Sequence, residues 1–248
     1  MNQPISNLKE VDENIDIIHN WEPLEFEISK EYEFIPQSFV FKFLSFLIYY
    51  IIAAPILTIV CKLFLGLKIK GKENIKNIKT GAITVSNHIH YIDCAMIALA
   101  FIPQKIYFTT NEDNFKIPFI RHLIKVLNAI PIPKKTGNLK RFSSEINNLL
   151  NQNEIVHFYP EAALWPYYDR IRNFKSGAFK IAATNNVPII PIRYTYREPK
   201  GLIRFIKKKP FITLNILPPI YPDSNLDTYH KTSKLKDETY IKMKNFSF

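Results

Sequence analysis

The 248-residue chain is 47% hydrophobic and 14% aromatic, which excludes a chain disordered throughout and leaves room for one full core, or one domain with an appendage. Its two cysteines, Cys61 and Cys94, lie far apart in sequence; they give no disulfide framework and no thiolate metal site, so a reducing compartment is the expectation. The net charge of +11 hides an asymmetry, because residues 1–41 carry nine acids and two bases. The body is therefore strongly basic and suits an anionic bilayer surface, a phosphate-bearing lipid or an acidic carrier protein, as well as nucleic acid.

Residues 1–37 read as an acidic peripheral arm, with local helix at most, a turn signal at Trp21-Glu22-Pro23 and no chemistry. Phe43 to Cys61 is nineteen residues without a charge, bracketed by Lys42 and Lys62. That length just crosses a hydrocarbon core as one helix; two shorter helices broken near Pro55 and lying in one leaflet are the alternative, and a buried core helix is another. The acidic segment ahead of it does not fit a cleaved signal peptide. Lys62, Lys68, Lys70, Lys72, Lys76 and Lys79 follow closely, so a spanning helix would place the body on the cytoplasmic face. The expected division is 1–37 arm, 38–67 membrane segment, 68–248 catalytic body.

Ala82 to Val85 is a β-branched apolar run after Gly81, a buried strand, and Asp93 to Phe101 reads as a helix. Between them stand Asn87, His88, His90 and Asp93. An imidazole at a strand end and a carboxylate in the next helix's first turn can touch; the acid then orients one ring nitrogen and leaves the other as a general base. His88, His90 and Asp93 are also metal-ligand types, but they do not keep the His-any-His-any-Asp-His order of the metallo-hydrolases, and no metal is expected. Cys94 is an alternative nucleophile, although a cysteine opening an apolar helix is more often core.

Further along, Lys105 to Thr109 is a strand, Pro118 to Leu127 a helix opened by proline, and Leu139 to Asn151 an amphipathic helix. Ile155 to Tyr159 is a buried strand that runs into Pro160 and Glu161, and a carboxylate there needs partners. A helix through Ala183 ends at Asn185 or Asn186. Val187 to Ile192 is an apolar strand carrying Pro188 and Pro191, which implies an edge, a strand start or special geometry. Ile212 to Ile216 is a last strand, and Lys234 to Phe248 a terminal helix.

The spacing Asn87-His88-four residues-Asp93 resembles the first motif of the glycerolipid acyltransferase family, whose archetype is bacterial 1-acylglycerol-3-phosphate acyltransferase. Four later segments follow in family order. Asn128, Pro131 and Lys134 stand where the second motif has Gly, Phe and Arg. Tyr159-Pro160-Glu161 matches the start of Phe-Pro-Glu-Gly-Thr-Arg, with Ala162, Ala163 and Leu164 replacing the rest. Phe174-Lys175-Ser176-Gly177-Ala178 matches Phe-Lys-any-Gly-Ala, and Val187-Pro188 opens the fourth motif.

The resemblance implies an α/β fold, a mixed, mostly parallel sheet covered by helices, behind an N-terminal membrane-associated helical segment. It implies a membrane-bound O-acyltransferase moving a fatty acyl group from acyl-CoA or acyl carrier protein to a lysophospholipid hydroxyl, most naturally 1-acylglycerol-3-phosphate. His88 is then the base oriented by Asp93. Asn87, Lys134, Pro160, Glu161, Lys175, Gly177 and Pro188 are expected to bind substrate. Membrane lipids are the implied partners, with no nucleic acid and no cofactor beyond the acyl donor. Ala162, Ala163 and Leu164 remove groups that would grip a head group. Lys134, Arg170, Arg172 and Lys175 are the bases available to compensate. A different, less phosphate-dependent acceptor and a non-catalytic lipid-binding scaffold are the alternatives.

Overall fold

The computed structural model describes residues 25–201 and 203–246, so the turn at Trp21-Glu22-Pro23 lies outside the described residues. From Glu25 the arm is an extended strap rather than a helix. Ile28 and Phe34 are buried beneath it, and the two Nη atoms of Arg141 donate to the carbonyls of Ser29 and Tyr32 at 2.9 Å each.

The apolar stretch is one continuous helix, Phe39–Phe64, built from α1 (Phe39–Phe46), a π-helical segment (Leu47–Ala53) and α2 (Ala54–Phe64). It does not break near Pro55. Proline lacks an N–H and its ring collides with the carbonyl four residues back; the wider π turns just ahead of Pro55 absorb that misfit. At about 1.5 Å per residue the helix is roughly 39 Å long. It is docked along the body: Ser45 Oγ donates to the Val126 carbonyl at 2.7 Å, Tyr50 to the Pro103 carbonyl at 2.8 Å, and Cys61 is fully buried. Its other side, including Phe43, Phe46, Ile52, Ile56, Ile59 and Leu63, is exposed.

The remaining elements alternate: β1 (Lys68–Lys70), β2 (Ala82–Ser86), α3 (Asp93–Phe101), β3 (Ile106–Asn111), α4 (Ile120–Val126), β4 (Ala129–Ile132), α5 (Thr136–Asn151), β5 (Ile155–Phe158), α6 (Gly177–Asn185), β6 (Ile189–Arg197), α7 (Ile203–Ile206), β7 (Phe211–Ile216) and α8 (Thr228–Lys244). The strands form one sheet in the order β1-β7-β6-β2-β5-β3-β4. Every pair is parallel except β6 with β7. This is the mixed, mostly parallel sheet the alternating pattern implies.

β2 is buried at all five positions because helices cover both faces. Ile83 and Val85 point to the side of α5, α6 and α8, while Ala82 points with Ile155 and Ile190 to the side of α3 and Cys61. The period of two then carries Thr84 and Ser86 of β2, and His157 of β5, to the α3 side.

Several boundaries differ from the sequence expectation. α4 starts at Ile120, two residues after Pro118, because Phe119 sits at φ 61°. α8 starts at Thr228, where Asp227 accepts from the Tyr229 and His230 amides at 2.8 and 3.0 Å. β6 extends to Arg197 because β7 supplies an antiparallel partner from Ile192 onward. Its Pro191 is tolerated since the missing N–H falls beyond the end of that ladder, where the Pro191 carbonyl takes the Leu217 amide at 2.8 Å.

Candidate active site

β2 and β5 are adjacent and parallel, in register from Ala82↔Ile155 to Val85↔Phe158. Their carboxyl ends therefore release the chain side by side, which is where parallel sheets build sites. The β2 end delivers His88, and the β5 end delivers Tyr159, Pro160 and Glu161. α3 begins over the same edge with Asp93.

His88 Nδ1 lies 2.7 Å from Asp93 Oδ2. Asp93 is buried, and the same oxygen accepts the amides of Ile89 at 3.1 Å and His90 at 3.3 Å. Its other oxygen accepts the Tyr159 hydroxyl at 2.6 Å. The carboxylate is thus held by four donors and cannot turn away from the imidazole. With Nδ1–H donated to Asp93, Nε2 is the nitrogen left with a lone pair. His88 keeps a side chain 22% exposed, so its ring is open to solvent.

In the sequence Tyr159 is only the end of a buried strand and the first letter of the third motif. Its ring stacks on His88 with centroids 3.9 Å apart and planes 21° from parallel. Burial and the Asp93 charge hold its hydroxyl well above the usual phenol range, so it stays a donor. His157, also missed, packs edge-on against Tyr159. Thr84 Oγ1 and Ser86 Oγ meet its two ring nitrogens at 2.8 and 3.3 Å. Burial pushes its pKa well below the ordinary value, so it is a neutral strut. A histidine inside a run of apolar strand residues was the signal that could have flagged it.

Glu161 grips the loop from below. Its Oε2 accepts the His88 amide at 3.3 Å and its Oε1 the Arg172 amide at 3.0 Å. Burial raises its pKa to about 7 against the opposing pull of those amides and of Arg172 and Arg193. The Arg172 guanidinium lies 4.4 Å over the Trp165 ring, and Arg172 and Arg193 are both buried. Arg193, on β6, was not singled out from sequence. It donates to the Asp169 carbonyl.

The other expected site residues divide. Asn87 is fully buried, and its Oδ1 accepts the Tyr194 amide at 2.9 Å, which extends the β2–β6 ladder by one rung. Pro160 is buried, and its carbonyl takes the Lys175 amide at 2.8 Å, so Lys175 is tied to this edge with its side chain exposed. Gly177 opens α6 in open space. Lys134 follows β4, three strands from β2, and its Nζ pairs with Asp113. Pro188 precedes β6, and its carbonyl takes the Ile83 amide. That is the amino end of the parallel strands, level with Ala82 and roughly 13 Å from the Ser86 end that leads to His88, at ~3.3 Å per residue. A local motif match could not show that these two lie apart from His88.

His90 Nδ1 accepts the Ile92 amide, and His88 Nδ1 faces Asp93. Among the described residues no three His, Cys, Asp or Glu side chains are placed to share a metal ion. Cys94 lines an apolar cavity of about 110 Å³ between α3, Tyr49, Ala53, Leu57 and Ile124, and His88 is not among the lining residues. Burial, with the Asp93 charge adding to it, pushes its thiol up to about 12, so it is no ready nucleophile.

The family model described as "Acyltransferase" matches residues 66–195. A chloroplastic 1-acyl-sn-glycerol-3-phosphate acyltransferase of Arabidopsis thaliana is 29% identical over 134 residues, which are 52% of this chain and 36% of that protein. One of Brassica napus, also chloroplastic, is 30% identical over 129 residues, 50% of this chain and 36% of its own. The matched stretch is thus about a third of the length of these relatives. The crystal structure of the 1-acyl-sn-glycerophosphate acyltransferase PlsC from Thermotoga maritima superposes with a TM-score of 0.51 at 20% identity, covering 84% of this chain and 89% of that one; it supports the fold.

Proposed function

The chain belongs to the acyltransferase family, and from that premise we propose that it transfers a fatty acyl group from a thioester to a hydroxyl of a lysophospholipid, 1-acylglycerol-3-phosphate being the acceptor that fits best. The observation that carries this reading is the 2.7 Å contact between His88 Nδ1 and a fully held Asp93 at the shared carboxyl edge of β2 and β5.

His88 Nε2 takes the proton of the acceptor hydroxyl as its oxygen attacks the thioester carbonyl, and Asp93 stabilises the imidazolium that forms. Collapse of the tetrahedral intermediate breaks the carbon–sulfur bond, and the imidazolium returns its proton to the leaving thiolate. The chain's own atoms then balance, with His88 and Asp93 regenerated. The donor thioester is acyl-CoA or acyl carrier protein, and the basic body suits the phosphates of either. The apolar cavity that begins at Cys94, beside Asp93, and runs under α3 to Ile102 suits the acyl chain.

Arg172 lies closer to this edge than Lys134, because its amide bonds Glu161 while Lys134 follows an outer strand. It therefore takes over the head-group charge lost at Leu164. The long helix supplies the membrane contact. Since the body is docked against one side of it from Ser45 to Cys61, it lies along the bilayer surface with its exposed side in the lipid, rather than crossing as a free span.

Steady-state rates with lysophosphatidate and with a head-group-free monoacylglycerol test the acceptor. Preference for the phosphate, falling at least about tenfold in Arg172→Ala, supports the reading, since a lost charge-assisted bond is worth ~1.5–3 kcal/mol. Equal use of the neutral acceptor sinks it.

A further inference from the structure

The connection between β6 and β7 takes no part in the chemistry above, and it sets an exposed apolar tip in a strongly basic stretch. Residues 197–211 carry Arg197, Lys200, Arg204 and Lys207 to Lys209 against Glu198 as the single acid. At its tip Phe205 and Ile206, on α7, are 71% and 86% exposed. Single exposed apolar residues need no explanation, but two large neighbours on a basic connection, with the Arg204 guanidinium 4.8 Å from the Phe205 ring centroid, form a surface suited to an anionic, half-apolar medium.

The tip is fixed to the end of the long apolar helix. The Ile212 amide donates to the Leu65 carbonyl at 3.0 Å, Lys207 Nζ to the Phe64 carbonyl at 2.6 Å, and Arg197 to the Gly66 carbonyl. Gly66 sits at φ 56°, and a Cβ there would meet the Phe211 ring at 2.1 Å, so only glycine permits this seam. Leu63 and Phe64, just across the seam, are themselves exposed. On its other flank, Lys209 Nζ lies 4.7 Å over the Tyr167 ring, and the Tyr167 amide bonds the Ile89 carbonyl, one residue past His88. The tip therefore bridges the helix end and the loop that carries the base.

We propose that this hairpin tip is a second membrane contact, an apolar wedge set in a basic stretch that binds an anionic bilayer surface and holds the mouth of the His88 site against it. The proposal rests on the membrane reading of the long helix and adds to it a named element and a lipid charge. Helix and tip together hold the body at two points, which restrains its rocking on the surface more than the helix alone. The site then meets its lipids at a set height.

An environment-sensitive dye on Phe205→Cys, in the full-length protein mixed with phosphatidylcholine vesicles containing phosphatidylglycerol, tests it. The expected result is a blue-shifted emission quenched by acyl-brominated lipid, as for a dye on Ile52→Cys in the long helix, while a dye on Tyr229→Cys of α8 stays aqueous. Arg204→Glu with Lys208→Glu should lower the preference for anionic over neutral vesicles by about fivefold per base removed, or more. An aqueous dye at position 205 with a quenched one at position 52 overturns the wedge and leaves the membrane reading standing. Aqueous dyes at both positions overturn both. An anionic preference unchanged by the charge reversal also overturns the proposal.

Discussion

Tyr159 and Asp93 are joined by a 2.6 Å hydrogen bond from the phenol to the carboxylate oxygen that His88 does not use. The phenol draws part of the Asp93 charge away from the imidazole, so it weakens the hold on the imidazolium while fixing the carboxylate in place. Tyr159→Phe keeps the stacked ring and removes that bond. Turnover should fall about threefold to tenfold, because a carboxylate held by three donors instead of four fixes the imidazole less well. Undiminished turnover would reduce Tyr159 to packing.

Asp93→Asn should lower turnover on the order of 10²-fold or more, since an amide neither fixes the Nδ1–H tautomer nor balances the imidazolium. Undiminished turnover would demote Asp93 to a helix-start acid that serves the Ile89 and His90 amides alone. Cys94→Ala should change turnover little, because Cys94 lines the apolar cavity and its pKa is pushed up to about 12. A trapped acyl-thioester adduct in the parent protein would contradict this.

Glu161 gives a pH dependence of stability with an uncommon sign. Its folded-state pKa is raised to about 7, above the unfolded value of roughly 4.3. Below that unfolded value both states are protonated and no penalty exists. As the pH rises toward 7 the unfolded chain gives up its proton first, so stability falls across this window and is level above it. The loss is on the order of 4 kcal/mol at ~1.4 kcal/mol per unit. Glu161→Gln should remove that slope in denaturant titrations at a series of pH values; a variant that keeps the full slope assigns it to other groups.

The first motif was fully legible. Its partners are close in sequence, and a strand feeding a helix fixes their geometry whatever the rest of the chain does. Glu161 was legible for the same reason, being a carboxylate where a buried strand ends. That Lys134 and Pro188 lie apart from His88 was not legible, because their position depends on strand order and direction, which a local motif does not carry. Pro188 enters β6 at the edge opposite His88, and Lys134 leaves an outer strand. Tyr159 and His157 were overlooked because an aromatic side chain in a buried strand reads as core until its partners across the sheet are known.

Ala162 holds φ 59° where the resembling motif has glycine, and left-handed backbone costs an alanine about 1–2 kcal/mol. It is exposed and loses little packing on truncation. Ala162→Gly should therefore raise unfolding free energy by up to about 1 kcal/mol, after allowing for the looser unfolded chain. A fall in the denaturation midpoint would show that the methyl group is held by contacts that outweigh the strain.

The central claim is that His88, oriented by Asp93, is the base for acyl transfer. The measurement that meets it most directly is product formation from isotope-labelled acyl-CoA or acyl carrier protein and lysophosphatidate, followed by mass spectrometry, for the parent and for His88→Ala with its fold checked by circular dichroism. The account predicts a labelled diacyl product with release of the free thiol in the parent, and loss of at least about 10³-fold in the variant. Undiminished product from a folded His88→Ala protein would contradict it.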